Sequence, residues 1–246
     1  MKQIILIVLL ALSNSIFAQP SPQSIKWGTD VWANFTERDG SGFYHELLSE
    51  IFKEPQYIMS VEYFPWKRTL KNLATGNIDM TGALPQNTAF YQSEWPLLTE
   101  DVYLVSRKGE YLTKDALANK VGAYRAGYES DIFYVALPRN AKGIPVNDPE
   151  QAVSLLKKGK IDYYVDIHSI VSPLLLSESM SSETKDADSS FTTSKVGNYK
   201  LYWSFVMNER GKQLKRHFDS QLKTLKDSGK LSRLYAKYAL HMPQQQ

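Results

Sequence analysis

Apolar side chains at Phe43, Leu47, Leu48 and Ile51 fall on one face of a helix over residues 42–52, entered through an Asp39-Gly40 turn. A short strand and loop from Ile25 (IKWGTDVWANF) precede it, and an extended apolar segment follows at 60–64. Pro65 and Trp66 open a second helix that stops at Gly76, and the run 80–84 reads as a buried strand. The order β-α-β-α-β predicts a mostly parallel sheet with helices on its faces.

The second half repeats the plan. LKNLATGNID at 70–79 and VSLLKKGKID at 153–162 are one phrase used twice: a helical pattern ending at a glycine (Gly76, Gly159), then Ile-Asp into a strand. Around the second copy the pattern predicts a β-branched strand at 102–106 and a helix from Lys114. Further on it predicts a strand at 120–124, a helix at 130–137, a strand at 143–146, a helix at 149–158 and a strand at 161–165. Residues 177–194 are rich in Ser, Thr, Asp and Glu and read as a solvated loop. A strand at 199–207 follows. Two helices over 211–240 are joined at Asp227-Ser228-Gly229, and a frayed tail closes the chain at 242–246. Two such units at this separation predict two similar α/β lobes with a cleft between them, the place where small molecules bind.

Composition narrows the setting. Residues 1–18 carry one charge, Lys2, an apolar run at 4–12 and a small residue at Ala18, the layout of a cleavable signal peptide and so of an exported protein. No later segment approaches the length of a membrane span. The chain has no cysteine, which excludes disulfides and thiolate metal sites. Its formal net charge of +3 at pH 7 is spread among interspersed acids and bases, with no nucleic-acid or membrane surface; the Lys-rich stretch 212–237 reads as the wet face of a helix. The four histidines are scattered, and neither a metal cluster, a Ser-His-Asp arrangement nor a phosphate-cradling glycine loop is visible. No catalytic residue, cofactor or metal is expected.

The stretches GTDVWANF with GFYHELLSEIFK, YFPWKRTLKNLATGNIDM, ALANKVGAYRAGYESD, AVSLLKKGKIDYYVD and LKTLKDSGKLSRLYAKY occur in an order that resembles the bacterial extracellular solute-binding proteins of family 3, the amino-acid-binding type. The resemblance covers nearly the whole mature chain. It implies a type II periplasmic binding protein fold: residues 19–106 plus 196–246 form lobe 1, 107–195 form lobe 2, and two crossing strands act as a hinge.

The resemblance also implies a lobe-1 arginine that grips a ligand carboxylate, and here the chain departs from it: no Arg or Lys lies between Lys71 and Arg107, and the expected position falls on Asn87 or Tyr91. The lobe-2 loop, where a hydroxyl is common, reads Arg125-Ala126-Gly127-Tyr128-Glu129-Ser130. Asp166 matches the acid that holds an α-ammonium; a surface acid at a strand end is the alternative. Asp30, after the first strand, is placed to line the cleft.

Trp32, Phe35, Trp66, Tyr91 and Tyr128 are candidate cleft aromatics, whose faces attract cations; ordinary packing under the rim is the alternative for each. With Asp30, Glu129 and Asp166 they suit an amine or quaternary ammonium. Arg68 and Arg125 keep an anionic ligand open, Arg68 alternatively facing solvent or pairing with Glu62.

The expected function is periplasmic capture of a small polar nitrogen-containing solute by a monomer, for an ABC permease encoded as a separate chain. A sensing module for a membrane receptor is the alternative, and a dehydratase-like enzyme on the same fold a lesser one.

Overall fold

In the computed structural model the described residues are 21–129, 133, 136–181 and 190–243. The segment 1–18 expected as a signal peptide, most of the helix expected at 130–137 and the end of the tail lie outside them.

β1 (Gln23–Thr29) pairs in parallel with β2 (Tyr57–Tyr63) on one side and β3 (Met80–Leu84) on the other. α1 (Phe43–Ile51) connects β1 to β2, and α2 (Trp66–Thr75) connects β2 to β3. The second unit has the same build: β6 (Val121–Arg125) lies parallel to β7 (Lys142–Val146) and to β8 (Tyr163–Ile167), with α3 (Pro149–Lys157) between β7 and β8.

The repeated phrase forms the same joint twice. Gly76 and Gly159 take φ of 76° and 64°, left-handed values that end each helix. Asp79 N–H then donates to the Lys26 carbonyl at 2.8 Å while its carboxylate accepts the Lys26 N–H at 2.8 Å. Asp162 does the same with Val121, at 2.7 and 2.8 Å. Each aspartate clamps the strand next to its own.

Two long antiparallel strands join the units. β5 (Leu98–Arg107) runs alongside β9 (Phe191–Phe205) with an irregularity between Val102 and Tyr103. β9 then pairs with β3 and with the short β4 (Tyr91–Gln92), while β5 pairs with β8. One core gathers Ile25, Trp27, Met80, Trp203 and Phe205 under α1, α5 (Glu209–Asp227) and α6 (Lys230–Lys237). Two further clusters gather around Val102, Leu104, Tyr163 and Val165 on one face of the second sheet and Val105, Ala123 and Tyr164 on the other. The molecule is therefore two α/β lobes, with β5 leaving the first core at Leu98 and entering the second at Val102.

Four sequence expectations change. The helix expected from Lys114 is one 3-10 turn, Lys114–Leu117, because only Leu117 is buried there. β5 starts at Leu98 rather than Val102, and β2 at Tyr57 rather than Ser60, since the neighbouring strands supply ladder partners that composition does not reveal. The segment expected as a loop at 177–194 begins inside α4 (His168–Ser181) and ends inside β9; 182–189 lie outside the described residues. α4 itself, with Pro173 in its interior and little amphipathic pattern, was not foreseen.

Candidate functional site

The ends of β1, β6 and β8 meet where the lobes face one another. Past β1, Thr36 Oγ1 donates to the Asp30 carbonyl at 2.8 Å and accepts the Trp32 N–H at 2.9 Å. That folds 30–36 into a tight loop and stacks Trp32 on Phe35, ring centres 4.0 Å apart. Past β6, Gly127 turns the chain at φ 98°. A side chain there would meet Lys67 N and Cβ at 3.1 Å, so this loop of one lobe rests on the first turn of α2 in the other. Tyr128 is thereby laid against Trp66 with centres 5.6 Å apart and planes 13° from parallel, and its hydroxyl donates to Asp30 Oδ2 at 3.2 Å.

Beneath this contact lies a buried ion pair. Arg125 reaches Asp166 with Nε to Oδ2 at 2.5 Å and Nη2 to Oδ1 at 2.9 Å, a two-pronged pairing. The Asp166 carboxylate is fully buried and also accepts the Tyr164 hydroxyl and the Ile167 N–H, the latter at 2.8 Å. The Arg125 guanidinium carbon sits 4.0 Å from the Tyr128 ring centre. Among the described residues Asp30 makes no ion pair; burial raises its pKa, and the Arg125 charge and Tyr128 hydroxyl oppose that rise.

These groups wall a cavity between the lobes. Its polar lining includes Thr29, Asp30 and Arg125. Its rings are Trp32, Tyr44, Trp66, Tyr128 and Tyr199. Val31, Ile167, Ile170 and Leu201 are among the aliphatic groups that complete it. Tyr44 is only 2% exposed, and its hydroxyl is buried without a hydrogen-bond partner. Such an orphan is costly unless something in the cavity meets it.

The structure thus brings Asp30, Trp32, Trp66, Arg125 and Tyr128 to one cavity, with Phe35 behind Trp32. The other sequence candidates lie elsewhere. Arg68 is exposed on α2 and is not part of the wall. Asn87 spends its side-chain oxygen on the Ala89 N–H at 2.8 Å, and Tyr91 pairs with Phe205 in β4. Glu129 accepts the Gly127 N–H at 2.9 Å and so braces the turn. Asp166, expected to face an ammonium, has its carboxylate taken by Arg125. Tyr44, Tyr199, Ile167 and Ile170 were missed. Tyr44 had a signal: it sits four residues before Leu48 on the apolar side of α1, a ring with a polar tip inside a buried stripe.

No helix among the described residues is long and apolar enough to cross a membrane. No curated protein matches the chain in sequence. Among solved structures, the ligand-binding core of GluR0 from Nostoc punctiforme in complex with L-glutamate superimposes with a TM-score of 0.67 at 17% identity, over 87% of this chain and 98% of that one. A mutant of the arginine-binding protein from T. maritima gives 0.68 at 17% identity, over 87% and 94%. A histidine-bound substrate-binding protein of an ABC uptake transporter from Streptococcus pneumoniae gives 0.65 at 17%, over 87% and 92%. At that identity these establish the fold alone, that of type II periplasmic binding proteins. Residues 25–241 match the sequence profile of the bacterial extracellular solute-binding proteins, family 3, and the chain belongs to that family.

Proposed function

We propose that this protein captures a small polar nitrogen-containing solute between its lobes and presents it to an ABC permease made as a separate chain. After removal of a signal peptide it works in the periplasm as a monomer and carries out no chemistry. One observation carries the reading: Trp66 of one lobe and Tyr128 of the other close face to face over a walled cavity beside the crossing strands β5 and β9. Two lobes on such strands open and close as rigid bodies, and a solute that touches both favours the closed form.

The test is thermal unfolding of residues 19–246 against L-amino acids, polyamines, quaternary amines and organic acids. A solute at 100 times its dissociation constant adds about 2.7 kcal/mol, which raises the midpoint by about 5–10 °C in a chain of this size. The expected result is such a rise with at least one compound, lost in Trp66→Ala. A flat response across the whole panel overturns the reading.

A further inference from the structure

The charges around the cavity do not balance. Asp166 and Arg125 cancel as a two-pronged pair, and Asp30, which lines the wall, has no cation of its own. With its carboxyls ionised, this buried group of three carries one negative charge. The cavity is also poor in anything that would receive a carboxylate. Arg125 is the one cationic side chain among the described residues of the wall, and its Nε and Nη2 are engaged with Asp166 while Nη1 is not. The start of α4 reaches the cavity through Ile167 and Ile170, where a free helix N-terminus would attract an anion. Two of its N–H groups already face protein acids, Ile167 on Asp166 and Ser169 on Glu100. The acceptors left unused are one oxygen of Asp30 and the Tyr44 hydroxyl, buried in the wall without a partner among the described residues. Both can accept from an ammonium or guanidinium, and the faces of Trp32, Trp66 and Tyr199 suit the apolar body and the charge alike.

We propose that the solute is an organic monocation without a carboxylate, an amine or guanidinium on a flat or apolar body, its charged end held by Asp30 and the Tyr44 hydroxyl. This rests on the reading of the chain as a solute-capture protein. The Arg125–Asp166 pair then acts as a selectivity element: it fills with protein charges much of the place where a zwitterion would put its own, so an α-amino acid brings a further carboxylate to a group that already carries a net negative charge.

Calorimetric titration with amines and their parent α-amino acids isolates that one group: phenethylamine and L-phenylalanine, histamine and L-histidine, agmatine and L-arginine, cadaverine and L-lysine. The expected result is that at least one of the two singly charged amines, phenethylamine and histamine, binds about 10-fold or more tighter than its parent, the doubly charged agmatine and cadaverine serving as controls for added charge. Removing a hydrogen bond to a charged group corresponds to about 10-fold to 100-fold in affinity. Asp30→Asn should weaken that amine by such a factor, and Tyr44→Phe, which deletes only the hydroxyl, by about 10-fold. Tighter or equal binding of every parent amino acid overturns the charge assignment but leaves solute capture standing. Unchanged amine affinity in Asp30→Asn and Tyr44→Phe also overturns it. Silence from all four pairs overturns it too, and only silence of the wider panel as well removes the solute-capture reading.

Discussion

The Tyr128 hydroxyl donates to Asp30 Oδ2 at 3.2 Å, joining the loop after β6 in one lobe to the end of β1 in the other. Ninety-eight positions separate the two residues in the chain, and only the facing of the lobes brings them together. Tyr128→Phe keeps the stack on Trp66 and deletes this bond. The expected outcome is a larger radius of gyration of the solute-free protein by small-angle scattering, with stability lower by about 1.5–3 kcal/mol, as for one part-buried hydrogen bond to a carboxylate.

Gly127→Ala attacks the same closure through the backbone. A left-handed φ costs a non-glycine residue about 1–2 kcal/mol, and the added carbon would press on Lys67 across the cleft at 3.1 Å. Stability should fall by about that amount while solute affinity falls further, read by comparing urea unfolding with titration.

The buried pair in the second lobe makes a sharper prediction. Arg125→Met leaves the Asp166 carboxylate buried and unpaired, which costs about 3–5 kcal/mol. Adding Asp166→Asn removes the stranded charge and should recover most of the loss, as measured by the urea midpoint of the double variant against the single one.

Glu100 on β5 supplies a pH dependence. Burial pushes its carboxyl up to about 7, with the start of α4 at Ser169 holding it down and the charges of Asp101 and Asp166 adding to the rise. An acid whose folded pKa lies above its unfolded value binds more protons when folded, so stability declines as pH rises from about 4.5 to about 7. The full difference is at most about 3 kcal/mol. Glu100→Gln should flatten the unfolding midpoint across that window; an unchanged slope would assign the pH response to other groups.

Tyr44→Phe should leave the solute-free protein as stable as before or more stable by about 1 kcal/mol, because a buried hydroxyl without a partner costs about 1–3 kcal/mol. Circular dichroism melting of the solute-free chain checks this. A clear loss of stability would mean that the hydroxyl is bonded in solution.

Much of the architecture was legible from local pattern alone. The α1 stripe, the two helix-glycine joints at Gly76 and Gly159 and the strands beside them depend on neighbours within a turn or two, so spacing reveals them. The start of β9 was not legible, since its polar residues 192–195 are extended because β5 offers a ladder of hydrogen bonds, and backbone bonds leave no mark on side-chain composition. The same holds for β4, a two-residue strand that exists only against β9.

The site divides along the same line. The residue types that line it were visible in the chain: aromatics and an acid after the first strand, an arginine and a tyrosine after Gly122, and no lobe-1 arginine. Which of them meet was decided by tertiary structure. Arg125 and Asp166 end neighbouring strands of one sheet, and that adjacency turned a candidate ammonium ligand into half of an internal ion pair. The sequence by itself determined two lobes and a cleft rich in rings, because helix and strand periodicity act over a few residues. Its charge was left to the fold, because electrostatic partners are chosen by distance in space, and distances across a sheet or a cleft are not written in the order of the chain.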